Sequence, residues 1–553
     1  MRGRVAHWAK LTPRSGKRAK LRFALLLAAT LTTIGSVRAE DQQAAPGSSI
    51  PGRNGLSVGD IAISGFPGVK LGGDGVAPGS DPLDQTVIDG DGISLRIWDL
   101  GSIGGPLAGQ LVNPLSKFEI KARDIGLVFS IALDSDPQDA SKVPNIYAAA
   151  TSAFGLHIAN SESDKEGVAA RLKVGAPNAR YMDGQFGGRP GGGPSSIWKI
   201  DGQTGAVSLF ANTIDAGVAN SGPGIGGLAY DPASKTLYAS DLETGLIHRF
   251  SVTQNGTELG QFDHGKTARK SLKMSAVADD GRRAEISDPG FRADDPSTWG
   301  VTQPERRVDA MAVHNGRLYY AVAAGPEIFS VGLNADGNFS SDVRSELLVK
   351  ADRPAPVTSM LIDSKGRMTL AIRGAVKPSY DFSAFTEPGA GQVLRYLPEL
   401  PDDPATLDAW VPQPQEYAIG FSDAHKGAAG GVSLAHAYGP DGTIDLGSCE
   451  GTLASTGSSL ASGPTLHGMQ LNAVDAVLPR NMPPSTSTFI DYDGKPDDAA
   501  GRGLVGGIAA ARAVLSQPAD GYTIGLVTNG TAISAAIYNK LPFDPVKDFA
   551  CIS

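Results

Sequence analysis

Residues 226–250 read GGLAYDPASKTLYASDLETGLIHRF, and this stretch decides the architecture. Three short apolar runs alternate with polar turns: Leu228-Ala229-Tyr230, Leu237-Tyr238-Ala239 and Leu246 to Phe250. Pro232-Ala233-Ser234-Lys235 makes the first turn and Glu243-Thr244-Gly245 the second. Short β-prone runs broken by Asp, Pro, Ser and Gly at this spacing predict an antiparallel meander, with Glu258 to Phe262 as a fourth, outer strand.

Weaker copies flank the template. Upstream, Val128 to Asp134 and Asn145 to Ala150 are separated by a Gly-rich insertion from Ser196 to Ile200 and Ala206 to Phe210. Downstream come Val308 to Val313, Arg317 to Val322 and Glu327 to Val331, then Val357 to Asp363, Arg367 to Ile372 and Gly391 to Tyr396. Val432 to Tyr438, turning at Asp441-Gly442, begins another copy, and Ile61-Ala62-Ile63 with Ile93 to Trp98 begins the first. The aligned positions Tyr147, Tyr238, Tyr319 and Thr369 lie 91, 81 and 50 residues apart. The last gap is one repeat of a β-propeller, and the longer gaps are that repeat stretched by insertion. The reading is a mainly β fold, a propeller of about six blades (five to seven). The insertion around Gly191-Gly192-Gly193 lacks the Gly-Lys-Ser/Thr of a phosphate cradle and is expected to be a loop over one mouth. The charged stretch from His264 to Arg307 is expected to be an excursion between blades.

The ends differ from this middle. Residues 1–39 carry nine Lys and Arg and no acid, followed within the segment by the apolar run Phe23 to Val37 and by Val37-Arg38-Ala39. That is the layout of a cleaved export signal, so the mature chain is expected to be periplasmic or secreted, with residues 40–60 a flexible start. Without the leader, 40 basic residues remain against 58 acidic ones, a formal charge of −18. Such a surface repels phosphate backbones and argues against nucleic acid as a partner. No later apolar run is long enough to cross a bilayer. The two cysteines, Cys449 and Cys551, fall in different parts of the chain and predict no structural disulfide.

The Leu-Ala-Tyr-Asp, Leu-Tyr-Ala-Ser-Asp and Gly-Leu-Ile-His-Arg elements, with their copies over roughly residues 85–495, resemble the exported six-bladed propellers of the NHL and gluconolactonase-like group. That resemblance implies architecture rather than reaction. In lactonases of the group, Glu, Asp and Asn hold one central divalent metal that polarises the lactone carbonyl and activates water. Here Asp231, Asp241 and Asp363 end blade strands and are the carboxylates that a divalent cation such as calcium would use, provided that at least three blades converge on it. His248 and His436 lie in strand patterns and read as packed residues before they read as ligands. Asp89-Gly90-Asp91-Gly92 and Asp491-Tyr492-Asp493-Gly494 read as acidic turns.

From about Gly501 the composition changes, and the propeller is therefore bounded at 61–500. Gly506 to Leu515 is Ala-rich with helical character, Tyr522 to Val527 is a strand-like run and Ile533 to Lys540 is helical again. This short, incomplete α/β segment, 501–553, resembles the Bug family, periplasmic receptors of tripartite tricarboxylate transporters. The matching motifs are Pro518-Ala519-Asp520-Gly521-Tyr522-Thr523, Thr528-Asn529-Gly530-Thr531 and Leu541-Pro542-Phe543-Asp544-Pro545. The resemblance implies that Thr528, Asn529 and Thr531 reach a ligand and that transporter membrane subunits would be partners. The family's first strand, its Gly-rich loop and its second lobe have no counterpart here.

Catalytic signatures are thin: no His-Glu-x-x-His and no Cys-x-x-Cys occurs. The sequence therefore reads first as a non-enzymatic, exported propeller that binds a small molecule, glycan or protein. A metal-dependent lactonase-type hydrolase and a carboxylate receptor built on the tail are the alternatives.

Overall fold

The computed structural model describes residues 55–494 and 505–510, except 72–85, 136–141, 161–171, 173–178, 375–385, 388, 402, 404–405, 407–408, 422–423, 449, 462–465 and 479–485. A four-strand meander has two apolar faces and cannot bury both alone. Stacking such sheets face to face around an axis buries every face and leaves only short outer edges.

Six four-stranded antiparallel sheets are present. Blade 2 is Val128–Leu133, Ile146–Ala150, Ser196–Ile200 and Val207–Asn212, from the axis outward. Blade 3 is the template, Ile225–Asp231, Thr236–Asp241, Leu246–Ser251 and Thr257–Asp263. Blade 4 is Val308–His314, Arg317–Val322, Glu327–Leu333 and Phe339–Leu348; blade 5 is Val357–Ile362, Met368–Ile372, Gln392–Tyr396 and Gln415–Tyr417. Blade 6 is Ala428–Ala435, Thr452–Gly457, Gly468–Ala473 and Ser487–Asp491. Its Asp441-Gly442 turn belongs to a side hairpin, Ala437–Tyr438 with Ile444–Asp445, and the second blade strand follows only at Thr452.

Blade 1 joins the two ends of the described chain. Its outer three strands are Asp60–Gly65, Ile93–Asp99 and Leu115–Lys121, and its innermost strand is Val505–Ala510. Ile61 pairs with Ala510 and Ile63 with Ile508. The expected helix is thus corrected over these residues, and the propeller runs past residue 500 to Ala510. Alanine is the best helix former, so an Ala-rich run reads as helix in isolation. On an innermost strand the same small side chains are wanted for another reason, because backbones approach closely at the axis. A Cβ on Gly507 would lie 2.0 Å from the Phe129 carbonyl oxygen of blade 2.

The six innermost strands form a closed ring, each flanked by those of two neighbouring blades. Between every adjacent pair of blades lies one apolar cluster. Tyr238, Phe262, Leu318, Tyr320 and Phe329 fill the seam of blades 3 and 4, and Ile61, Trp98, Met469, Leu471 and Tyr492 fill the seam that closes the ring. At about 25 cal/mol per Å² of buried apolar surface, these seams dominate the favourable energy. Polar locks set their register: Tyr238 donates to the Gly337 carbonyl of blade 4 at 2.6 Å.

Two further clusters lie outside the seams. Phe66, Ile88, Phe129, Phe154 and Met182 form one; Leu156, Ile158, Phe186, Phe291 and Trp299 form the other. They draw on the insertion after Ile146–Ala150, on the excursion after Thr257–Asp263 and on the segment between Asp60–Gly65 and Ile93–Asp99, with Phe129 from the innermost strand of blade 2, over the face where the innermost strands begin. This top layer answers the expectation of loops at one mouth.

Candidate functional site

The recurring aspartates are placed by turn chemistry. Asp134, Asp231 and Asp363 each follow or end an innermost strand on the bottom face. Asp231 accepts from the Ala233 and Ser234 amides and from the Ser234 hydroxyl. Asp363 accepts from the Lys365 and Arg367 amides and pairs with the Arg367 guanidinium. Asp134 takes the Asn145 amide at 2.6 Å and the Tyr147 hydroxyl at 3.1 Å. A carboxylate that closes the hairpin on its own backbone explains why Asp recurs at this place in blades 2, 3 and 5.

Asp241 stands at the other end of its hairpin. Asp231 pairs with Thr236, whereas Asp241 pairs with Ile225, and at about 3.3 Å per residue roughly 20 Å separates the two ends. Asp241 is buried and fully engaged, accepting from Thr213, Asn220 and the Glu243 and Thr244 amides. The structure therefore does not bring Asp231, Asp241 and Asp363 together. Among the described residues, no group of three or more His, Cys, Asp or Glu converges as a metal cage.

Other sequence candidates are also accounted for. His248 lies on the third strand of blade 3, away from the axis, with Nδ1 2.8 Å from Glu258 and its ring stacked on Phe250. Burial would raise the Glu258 carboxyl, but hydrogen bonds from His248 and Gln261 outweigh it and hold the group low. Asp89 and Asp91 face Lys70, Lys121 and Arg123, so their loop is an ion-paired turn. His436 is buried just after the innermost strand of blade 6. The export leader, Cys449, Cys551, Thr528, Asn529 and Thr531 lie outside the described residues.

What sequence reasoning missed is a device repeated in all six blades. Each innermost strand is bulged near its top end. The extra residues are Gly506-Gly507, Phe129-Ser130, Gly226-Gly227, Asp309, Thr358 and Ala429-Gly430-Gly431, in blades 1 to 6. Bulges break the ladder and re-aim residues, and they concentrate beside functional sites. Small hydroxyls on the second strands meet the freed backbone groups. Ser64 donates to the Gly507 and Phe129 carbonyls, Ser240 accepts from the Gly227 amide, and Thr456 accepts from the Gly431 amide. Adjacent blades are stitched at the same level, Leu228 N–H to Ser130 and the Thr358 hydroxyl to the Gly430 carbonyl, each at 2.8 Å.

The bulges divide the channel into two halves. Phe129 of blade 2 reaches across to Arg373, which follows the second strand of blade 5, the blade opposite. The guanidinium lies 5.2 Å from the Phe129 ring centre and 5.4 Å from that of Phe154. Both partners are buried, and burial draws the Arg373 pKa down to about 9, which leaves it a cation at neutral pH. Only glycine fits beside them: Gly430 has φ +97°, and a Cβ there would lie 3.0 Å from Arg373 Cβ. This bridge spans the channel between blades 2 and 5, on the side where blade 6 lies.

The opposite side stays open to solvent. Ser130, Gly226, Asp309, Thr358 and Ser359 are all half-buried, whereas the innermost strand of blade 6 is wholly buried. Mid-strand residues at the axis meet solvent only through the channel. The result is a polar crescent of three hydroxyls and one carboxylate. Asp309 is held by Arg307 at 3.1 Å, and its burial raises its pKa against that pairing.

The top layer is fastened above blade 3. Arg306, almost wholly buried, donates to the Thr244 and Val277 carbonyls, both at 2.7 Å, and pairs with Asp263. Glu243 accepts from the Ser221 amide and hydroxyl and lies 3.6 Å from Arg283, while the Ala284 amide donates to Ser221 Oγ. Burial, reinforced by Asp241 and only partly offset by Ser221 and Arg283, pushes Glu243 up to about 7. His264, beneath the excursion, lies 3.0 Å from the Tyr320 hydroxyl; burial, then Arg269 and Arg306, push it down to about 3.

No protein family matches the chain, and no curated protein does. Solved structures similar to it include a nidogen/laminin complex, at 9% identity over 82% of this chain and 98% of that one, with a TM-score of 0.35. A putative 6-phosphogluconolactonase from Bacteroides uniformis ATCC 8492 aligns at 10% identity over 79% and 98%, with a TM-score of 0.32. An auxiliary nutrient binding protein from Bacteroides thetaiotaomicron VPI-5482 aligns at 8% identity over 75% and 63%, with a TM-score of 0.31. Likenesses of this size carry no argument about what the chain binds or does.

Proposed function

We propose that the chain is an exported propeller that binds a small, polar molecule at the top of its central channel. The observation that carries this reading is the half-open channel. All six innermost strands bulge at one level, the Phe129–Arg373 bridge closes one side, and the other side presents Ser130, Asp309, Thr358 and Ser359 to solvent. Hydroxyls with one carboxylate suit a ligand rich in hydrogen-bond donors, such as a sugar, a polyol or an amino compound. Export rests on the basic leader and its cleavage pattern. Lactonase-type hydrolysis and carboxylate reception by the tail have no comparable observation behind them.

The test is a thermal-shift screen of the full chain against sugars, polyols, amino acids and hydroxy acids, with and without calcium. Titrations of Asp309→Asn and Thr358→Val follow. The reading expects a ligand whose affinity falls at least tenfold in Asp309→Asn. Absence of any small polar ligand, or one indifferent to both substitutions, would overturn it.

A further inference from the structure

The chain is acidic overall, with a formal charge of −9, yet one exposed segment is wholly basic. Between Asp263 and Asp279 there is no carboxylate, and Lys266, Arg269, Lys270 and Lys273 fall at i, i+3, i+4 and i+7. They lie on the helical turn His264–Ser271 and just beyond it, within eight consecutive residues. Lys266, Lys270 and Lys273 are exposed and Arg269 is half-buried, its Nε donating to the Ser275 carbonyl. None of the four is ion-paired among the described residues. Of the neighbouring acids, Asp263 pairs with Arg306, Glu258 with His248 and Asp279 with Arg283, while Asp215 on the adjoining hairpin carries one opposing charge.

Apolar side chains accompany this charge. The turn continues directly from the outer strand of blade 3, where Leu259 is 36% exposed, and Met274 just beyond it is 37% exposed. A two-stranded hairpin, Ile214–Asp215 with Val218–Ala219, is tied to that strand by Gln261 Nε2 donating to the Ile214 carbonyl. Ile214 and Val218 on it are 40% and 60% exposed. Four of the nine large hydrophobics exposed among the described residues thus belong to this rim.

We infer that the rim of blade 3 is a peripheral docking surface for an anionic phospholipid bilayer. Cations favour the headgroup layer, and exposed Val, Ile, Leu and Met beside them can enter the boundary below it. A purely hydrophilic polyanion would make no use of the apolar set. Each cation near a charged bilayer is worth about a fivefold gain in partition, screened beyond about 10 Å at 0.1 M salt. Repulsion from the rest of the acidic surface confines contact to this rim and so orients the propeller edge-on.

The experiment is sedimentation of the full chain with vesicles of phosphatidylcholine alone or with 30% phosphatidylglycerol (about one lipid in three), at about 0.05 and 0.5 M salt. Binding is expected at least tenfold stronger to the anionic vesicles and largely lost at high salt. The variant K266Q/K270Q/K273Q should lose at least tenfold, V218S/M274S should lose affinity for the same vesicles, and K350Q on blade 4 should behave as the parent. Melting curves of each variant report folding, and the two multiple variants alter different residues, so a folding defect in one leaves the other decisive. No preference for anionic vesicles, retained binding by both multiple variants, or equal loss in K350Q would overturn the inference. Capture of an acidic protein without vesicle binding would overturn it too.

Discussion

Glu243 gives the fastening of the top layer a pH dependence of definite sign. Its carboxyl is almost wholly buried and titrates near 7 in the folded protein, against 4.5 ordinarily. Between those values the folded state holds a proton that an opened state releases, so local stability is fully present below about 4.5 and falls as pH climbs to about 7. At about 1.4 kcal/mol per pH unit the difference is about 3.5 kcal/mol, and solvent reaching the rim in the folded state lowers the expectation to about 2. The reporters are the Ser221 amide, which donates to Glu243, and the Ala284 amide, which donates to Ser221 Oγ. Hydrogen exchange corrected for intrinsic rates should show their protection falling about thirtyfold from pH 5 to 8. Glu243→Gln keeps an acceptor for Ser221 and removes the titration, so its protection should be flat. Asp60, raised to about 6 by burial despite Lys117, adds the same sign in both proteins and cancels from the comparison. Protection that rises with pH in the parent, or the same slope in Glu243→Gln, would refute the reasoning.

Two substitutions probe the assignments on either face of the ring. Asp363→Ala leaves Arg367, nearly buried, with only the exposed Asp475, and should cost about 3 kcal/mol in a denaturant or thermal melt while leaving any calcium affinity unchanged. A matching loss of calcium binding would return Asp363 to a metal role. Phe129→Ala removes a ring packed against Phe154 and Arg373 and should cost about 3–5 kcal/mol, with Arg373 becoming accessible to arginine-modifying reagents. A small loss with Arg373 still protected would show that the bridge does not close the channel.

The sequence carried the fold wherever a blade repeats its own turn chemistry. The template's four strands and those of blade 2 appear where the apolar runs place them, because Asp, Gly and Pro mark hairpins by local backbone preference. Blade 6 was harder, since Thr452–Gly457 is mostly Thr, Ser, Gly and Ala, Gly468–Ala473 mixes Met and Leu with Gln and Asn, and neither carries a run of Val or Ile. The closing strand failed for a related reason: its Gly-Ala sequence obeys a long-range constraint, pairing with Ile61–Ile63 more than 400 positions earlier in the chain, that no local window contains. The site failed most completely. Asp231 and Asp363 were visible because they recur, and they recur because each closes a hairpin; Asp309 and Thr358 do not recur, and only the shared level of the bulges brings them together.

Ring closure by Val505–Ala510 underlies both the channel and the site. The direct measurement compares hydrogen exchange and melting of a chain ended after Leu504 with one ended after Leu515. The account predicts that the longer chain keeps the parent's melt and slow exchange at Ile61, Ala62 and Ile63. The shorter one should lose that protection, loosen the neighbouring Val128–Leu133 strand and melt at a lower temperature. Equal protection in both chains would contradict closure by this strand, and with it the channel built on it.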